Sequence, residues 1–211
     1  MLARWLDASL HEAFLVSRKE RRAFARASVA SVKESLFDWS KLSQVLADSH
    51  AADVLVTRDG ALAQAPTPRD EAAVRALLVD GCGLVVRHAQ GHCVVLEALA
   101  RELEIALPGA VQVQLFVTPA GSRGFAWHYD REEVFILQTV GTKTYFMREN
   151  TVVTDLADPI DFERFRSETS PLQACTLRAG DLLYLPRGMW HMGRAESTAF
   201  SISLGLTPTL A

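Results

Sequence analysis

Cysteine is scarce in this chain: three in 211 residues, Cys82, Cys93 and Cys175, with no Cys-x-x-Cys pair. That excludes a disulfide framework and a thiolate zinc site, which need regularly spaced thiols, and makes a reduced, cytoplasmic setting the expectation. No apolar run reaches the roughly 18 residues of a membrane-spanning helix. The N-terminal stretch carries Asp7, His11 and Glu12 through its apolar part, so it lacks a signal peptide's uninterrupted core. Excess positive charge is missing too. With 22 Lys and Arg against 25 Asp and Glu, the formal net charge is −3, and no global field favours nucleic acid or an anionic membrane. Repeats and long linkers are also lacking, so one domain over residues 1–211 is expected.

What is present is the composition of a packed globule, 49% hydrophobic and 22% charged. Residues 1–50 read helical: Leu2, Trp5, Leu6, Ser9, Leu10, Ala13 and Phe14 keep a 3.6-residue stripe, and Asp38 opens a short helix through Leu46. Arg18, Lys19, Arg21, Arg22 and Arg26 form a basic cluster, read as a solvated face, with an anionic partner as the alternative.

Residues 51–211 read as a strand-rich core with flanking helices. The pattern predicts a strand at Asp53–Arg58, a helix at Pro68–Val79, a buried strand at Gly83–Arg87 and an amphipathic helix at Cys93–Ile105. After Pro108 the chain is almost all strand: Val111–Thr118, Glu133–Gln138, Thr142–Arg148, Ala174–Arg178, Asp181–Leu185 and Ser197–Leu206. Closely spaced strands after a helical start predict an α+β fold. Its core would be an antiparallel double-stranded β-helix, a cupin-like jelly roll, with helices packed outside. The long connection from Glu149 to Leu172 has the length of a lid or binding loop.

Two of the six histidines keep unusual company. His128-Tyr129-Asp130 follows a glycine-bearing turn, and His191 follows Pro186-Arg187-Gly188-Met189-Trp190 beyond a strand. Two imidazoles and a carboxylate are the donor set of a facial triad on non-haem iron(II), and the i, i+2 spacing puts His128 and Asp130 on one side of an extended segment. Loop histidines satisfied by hydrogen bonds are the alternative. Lys143 shares a strand face with Tyr145 and Met147, so it either faces the barrel interior, where it would hold a small carboxylate, or sits on the rim. Ala199, Ser201, Ser203 and Gly205 share a face of small and polar residues, and Gln112 and Gln114 alternate with apolar neighbours. Both sets either line a polar pocket or face water.

Taken together, His128-Tyr129-Asp130, Phe135, Gln138, Gly141 and Lys143, then Gly180-Asp181-Leu182-Leu183-Tyr184-Leu185-Pro186-Arg187-Gly188 and Trp190-His191, resemble the JmjC/cupin-like 2-oxoglutarate oxygenases. The resemblance is to the bacterial ribosomal-oxygenase type and to the asparaginyl hydroxylase that inhibits hypoxia-inducible factor, and it runs from Val111 to Gly205. It implies that His128, Asp130 and His191 bind Fe(II), that Lys143 pairs with the distal carboxylate of 2-oxoglutarate, and that Gln138 occupies a pocket-lining position. Phe125 stands where some relatives carry a hydroxyl donor. Relatives of the ribosomal-oxygenase type continue into a helical dimerisation region and a winged helix, which the resemblance does not reach here.

The activity so implied is hydroxylation of a protein or peptide side chain, with release of succinate and CO2; demethylation follows where the attacked carbon bears nitrogen. A small metabolite or an RNA base is the alternative substrate; Trp127, Trp190 and Phe125 either form an aromatic-lined mouth that fits any of these substrates or are ordinary barrel packing. A non-catalytic cupin-like metal-binding module is the alternative outside enzymes, and the intact triad with Lys143 argues against it. A metal-dependent cupin without 2-oxoglutarate would bring more histidines and leave Lys143 without a carboxylate to hold. The donor set also suits Ni, Zn or Mn.

Overall fold

The computed structural model describes residues 7–29, 36–153 and 162–209. Leu2, Trp5 and Leu6 of the first apolar stripe lie outside the described residues. Within them, helix α1 (Ala8–Lys19) begins where the Asp7 carboxylate accepts from Leu10 N, and α2 (Trp39–Asp48) where Asp38 accepts from Lys41 N. Asp70 caps α3 (Glu71–Val79) in the same way. That moves the start of this helix from Pro68 to Glu71, because a carboxylate ready to accept an orphan N–H ends the extended lead-in. Helix α4 (Val94–Ala106) buries Leu96, Leu99, Ala100 and Leu103 at spacings of three and four.

Eleven strands among the described residues form two sheets. The larger runs in the order β1 (Phe24–Arg26), β9 (Leu182–Leu185), β6 (Glu133–Val140), β11 (Ala199–Pro208), β5 (Gly109–Thr118), β4 (Gly83–Val86), β2 (Val54–Arg58), β3 (Ala61–Leu62). The smaller is β10 (Trp190–Ala195), β7 (Lys143–Arg148), β8 (Gln173–Leu177). Every pairing between named strands is antiparallel. The α+β jelly roll with flanking helices is therefore the observed architecture.

Three departures have local causes. The first fifty residues are not all helix: Phe24–Arg26 pairs with β9, a three-residue edge too short to show alternation. β10 runs through His191, where no strand was expected, because Gly193 and Arg194 interrupt any apolar alternation. A five-residue helix, α5 (Phe162–Arg166), lies in the long connection.

Alternation divides the interior into layers. One face of the large sheet packs on the helices through Val113, Leu115, Phe135, Leu137, Phe200, Ile202 and Leu204, all at most 1% exposed. Phe14 of α1 joins this layer, its ring 5.8 Å from Phe24 and Phe135 and 5.2 Å from Tyr184. Aromatic pairs of this kind contribute about 0.5–1.5 kcal/mol beyond burial. Arg18 locks the same helix down with a two-pronged bond to Glu133, both contacts at 2.8 Å, while Tyr184 donates to that carboxylate at 2.9 Å. Arg18 thus leaves the solvated basic cluster for a structural ion pair. The opposite face of the large sheet meets the small sheet through Val134, Ile136, Tyr145, Met147, Leu183 and Leu185.

Candidate metal centre

The two sheets part at one end around a cavity of about 410 Å³. β5 lines it with Gln112, Gln114 and Phe116, and β11 with Ser201, Ser203 and Gly205. The small and polar face of β11 therefore points into the cavity and not to water, and the register sets Ser201 beside Phe116, Ser203 beside Gln114 and Gly205 beside Gln112. The small sheet contributes Lys143, Tyr145, His191 and Gly193, and the segment before β6 contributes Gly124 to His128, Asp130 and Glu132.

His128, Asp130 and His191 come together. Their ligand atoms all lie within 4.8 Å of one another, and they are the group of this kind among the described residues. The backbone fixes this meeting. His128 and His191 exchange both backbone hydrogen bonds, at 3.1 and 2.8 Å, as a single antiparallel pair. Gly188 N donates to Asp130 O at 2.8 Å, so the Pro186-Arg187-Gly188 turn holds the third donor's backbone. Tyr129, between His128 and Asp130, points the other way and packs edge-on against Trp190 at 4.9 Å.

Each imidazole is also oriented. His128 Nδ1 lies 2.8 Å from Ala126 O, and His191 Nδ1 lies 3.0 Å from Met189 O. A carbonyl only accepts, so each Nδ1 carries the proton and each Nε2 presents its lone pair to the cluster. His191 Nε2 stands 3.4 Å from Asp130 Oδ2. Burial, helped by the neighbouring His191, pushes the His128 pKa down to about 4, so it is neutral at pH 7, as a ligand must be. Burial opposes charge on His191 as well, but the Asp130 carboxylate outweighs it and raises that pKa. Asp130 is held below the usual carboxylate range, its burial overcome by His191 and then His128.

Lys143 is the first residue of β7. The chain crosses between sheets in the two residues Gly141-Thr142, where φ is +72° at Gly141 and a Cβ would stand 2.2 Å from Thr198 O. That is the physical content of the Gln138-x-x-Gly141-x-Lys143 spacing: only glycine makes the crossing that delivers the lysine inward. Lys143 is 3% exposed, with Tyr145 and Met147 on the same buried face. Nζ donates to Thr118 Oγ1 at 3.2 Å, no described carboxylate pairs with it, and burial lowers its pKa to about 8. Opposite it, a Cβ on Gly193 would meet Lys143 Cε at 2.7 Å and Tyr145 Cε1 at 2.9 Å, so glycine keeps this end open.

Gln114 and Ser203 lie on the cavity wall. Gln138 is fully buried behind it; its amide donates to Val140 O at 2.7 Å and accepts from Ser201 Oγ at 2.8 Å. It reaches the cavity only through Ser201. Phe125 lines the wall with an edge-on contact to His128 at 5.8 Å. Trp127 also lines it and stacks on Phe165 of α5 at 4.5 Å, whereas Trp190 is fully buried beneath. Sequence reasoning passed over Thr118, Gly193 and Gly60. Thr118 and Gly193 carry no local signal, because Gly193 reaches Lys143 through the pairing of β10 with β7, and Thr118 only where the large sheet faces the small one. Gly60 carries one, the Asp59-Gly60 dipeptide typical of a two-residue hairpin.

The family model described as JmjC domain matches residues 96–211. The chain belongs to the JmjC domain family. Among curated relatives, the bifunctional lysine-specific demethylase and histidyl-hydroxylase NO66 of Drosophila melanogaster is 27% identical over 207 residues, covering 93% of this chain and 30% of that protein. Ribosomal oxygenase 2 of Mus musculus is 38% identical over 110 residues, covering 52% of this chain and 23% of that protein. The ribosomal oxygenase YcfD of Escherichia coli, solved in complex with cobalt and 2-oxoglutarate, superposes with a TM-score of 0.65 at 19% identity, covering 95% of this JmjC chain and 52% of the other. This chain thus spans less than a third of those curated relatives and about half of the solved one.

Proposed function

We propose that this JmjC protein is an Fe(II)- and 2-oxoglutarate-dependent oxygenase that hydroxylates a protein or peptide side chain, releasing succinate and CO2. One observation carries the reading: a single cavity holds an imidazole–carboxylate–imidazole cluster and a buried ammonium that no described carboxylate neutralises. A buried lysine is costly without an anion, and a dicarboxylate reaching between the two features supplies one.

The residues fit the metal and the cosubstrate. His128 and His191 would hold iron through Nε2 and Asp130 through its carboxylate, three ligands that leave positions for other groups. The ion and 2-oxoglutarate, once bound, supply the oxidising chemistry with dioxygen. Lys143, steadied by Thr118, would take the distal carboxylate, and the missing side chain at Gly193 gives that carboxylate room. Ala126 O and Met189 O keep both imidazoles in the ligating tautomer. Gln112, Gln114 and Glu132 are left along the wall to receive a substrate group. The names of the NO66 relatives, a lysine-specific demethylase and histidyl-hydroxylase, support a side-chain substrate.

The test is succinate formation from 2-oxoglutarate by purified protein with Fe(II) and ascorbate. Turnover should vanish in His128→Ala, and Lys143→Ala should need at least about tenfold more 2-oxoglutarate, the scale of one lost charge-assisted contact. No turnover, together with no 2-oxoglutarate binding to metal-loaded protein, would overturn the oxygenase in favour of a binding module.

A further inference from the structure

The segment that carries His128 is gripped from outside the metal cluster. β2 and β3 are joined by Asp59 and Gly60, with φ of +52° and +89°, the left-handed pair of a two-residue hairpin turn. This turn meets the ligand segment at two points, a backbone bridge and an arginine contact. Gly60 forms a single parallel bridge with Phe125, Ala126 N donates to Gly60 O at 2.8 Å, and Arg123 donates through Nε and Nη2 to Asp59 O at 3.1 and 3.0 Å. Ala126 is held on one side by the turn and on the other accepts from His128 Nδ1 at 2.8 Å. Two hydrogen bonds therefore connect the hairpin to the imidazole.

No side chain fits at residue 60. A Cβ there would lie 2.8 Å from Ala126 N and 3.1 Å from Ala126 Cα, both backbone atoms, and 2.8 Å from Arg123 Nε. Any accommodation has to move the backbone that orients His128.

We propose that the Asp59-Gly60 turn is a positioning element of the metal centre, with Gly60 and Arg123 fixing the segment through Ala126 so that the His128 ring is set before the ion arrives. The inference rests on the metal-centre reading above and adds to it two residues that touch no ligand atom. It separates two ends of one cavity. Disturbing the turn weakens metal binding, while the Lys143 end, built from Lys143 and Gly193 of the small sheet and Thr118 of β5, is untouched.

The experiment titrates Co(II) into the purified full chain by calorimetry, beside thermal melts, for wild type, Gly60→Ala, Arg123→Ala and Gly81→Ala. Gly81 is the control: its φ is +74°, yet a Cβ there has nothing within 4 Å, so alanine brings backbone strain without collision. Gly60→Ala should weaken Co(II) binding about tenfold, on the scale seen when groups that orient metal ligands are lost. Arg123→Ala, on an exposed side chain, should weaken it several-fold, with the 2-oxoglutarate KM at saturating Fe(II) unchanged. Gly81→Ala should melt roughly 2–4 °C lower and bind Co(II) as wild type does. Co(II) affinities of Gly60→Ala and Arg123→Ala both within twofold of wild type would overturn the proposal, as would an equal loss in Gly81→Ala. Should Gly60→Ala not fold, Arg123→Ala decides alone. A wild type that binds no Co(II) would instead bring down the metal-centre reading, and this inference with it.

Discussion

Lys143, proposed to take the distal carboxylate of 2-oxoglutarate, gives that role a pH signature. Its pKa, lowered by burial to about 8, leaves it charged at pH 7 and mostly neutral at pH 9. The protonated fraction falls from about 10/11 to about 1/11, so the affinity of metal-loaded protein for 2-oxoglutarate should drop roughly tenfold over that interval. Only the charged form attracts a carboxylate, so the sign is weakening as pH rises. Calorimetric titration from pH 7 to pH 9 checks it. In Lys143→Arg the guanidinium stays charged, and the profile should flatten, though at weaker affinity throughout. A flat wild-type profile would detach Lys143 from the cosubstrate. At this scale the sequence was legible wherever chemistry resides in the residue type: His128, Asp130, His191 and Lys143 are singled out by what they are. Gln138 was not: it shares the β6 face of Val134 and Ile136, which line the cavity, and only its bonds to Val140 O and Ser201 Oγ hold its amide behind the wall.

Elements deliver those residues, and the long connection shows how one is anchored. Glu168 accepts from Thr151 N at 2.8 Å, Thr151 Oγ1 at 2.9 Å and Ser170 N at 2.9 Å, while Arg148 donates to its carbonyl at 2.7 Å. Burial raises its pKa, but the bonds from Thr151 and Ser170 outweigh burial and bring it below the ordinary value. Its contribution is thus complete above the unfolded-state pKa and is lost as pH falls through the folded one. Glu168→Ala leaves two backbone donors unmet, which costs about 2 kcal/mol, or a melting temperature about 4–8 °C lower. The same change should speed proteolysis between residues 149 and 172, where α5 stacks Phe165 on Trp127. Melting within 1 °C of wild type would show the clasp to be idle. Strands with clean alternation were readable from sequence: Thr142–Arg148 and Ser197–Leu206 were expected where β7 and β11 stand. β10 was not, since histidine, glycine and arginine stand where alternation would show. The stretch Asp53–Arg58 was read as a strand, but the Asp59-Gly60 turn that folds it back onto the ligand segment acts through tertiary contacts no local pattern displays.

At the scale of the molecule, two sheets share their apolar faces at one end and separate at the other around the cavity that holds the metal-ligating cluster and Lys143. Strand spacing and the absence of linkers were enough to read a jelly roll, because a sheet-rich chain of this length has few ways to bury its faces. Periodicity left open whether the small polar face of β11 meets water or a cavity; the pairing of β11 between β5 and β6 settles it, turning Ser201 and Ser203 toward His191 and Lys143. On the proposed function, this one cavity holds an ion and a dicarboxylate together. The most direct measurement is calorimetric binding of 2-oxoglutarate to wild type, His191→Ala and Lys143→Ala, each with and without Co(II). Tight binding is expected only to metal-loaded wild type, with at least about tenfold loss on removing the metal or either side chain. Equal 2-oxoglutarate affinity in all six samples would contradict it.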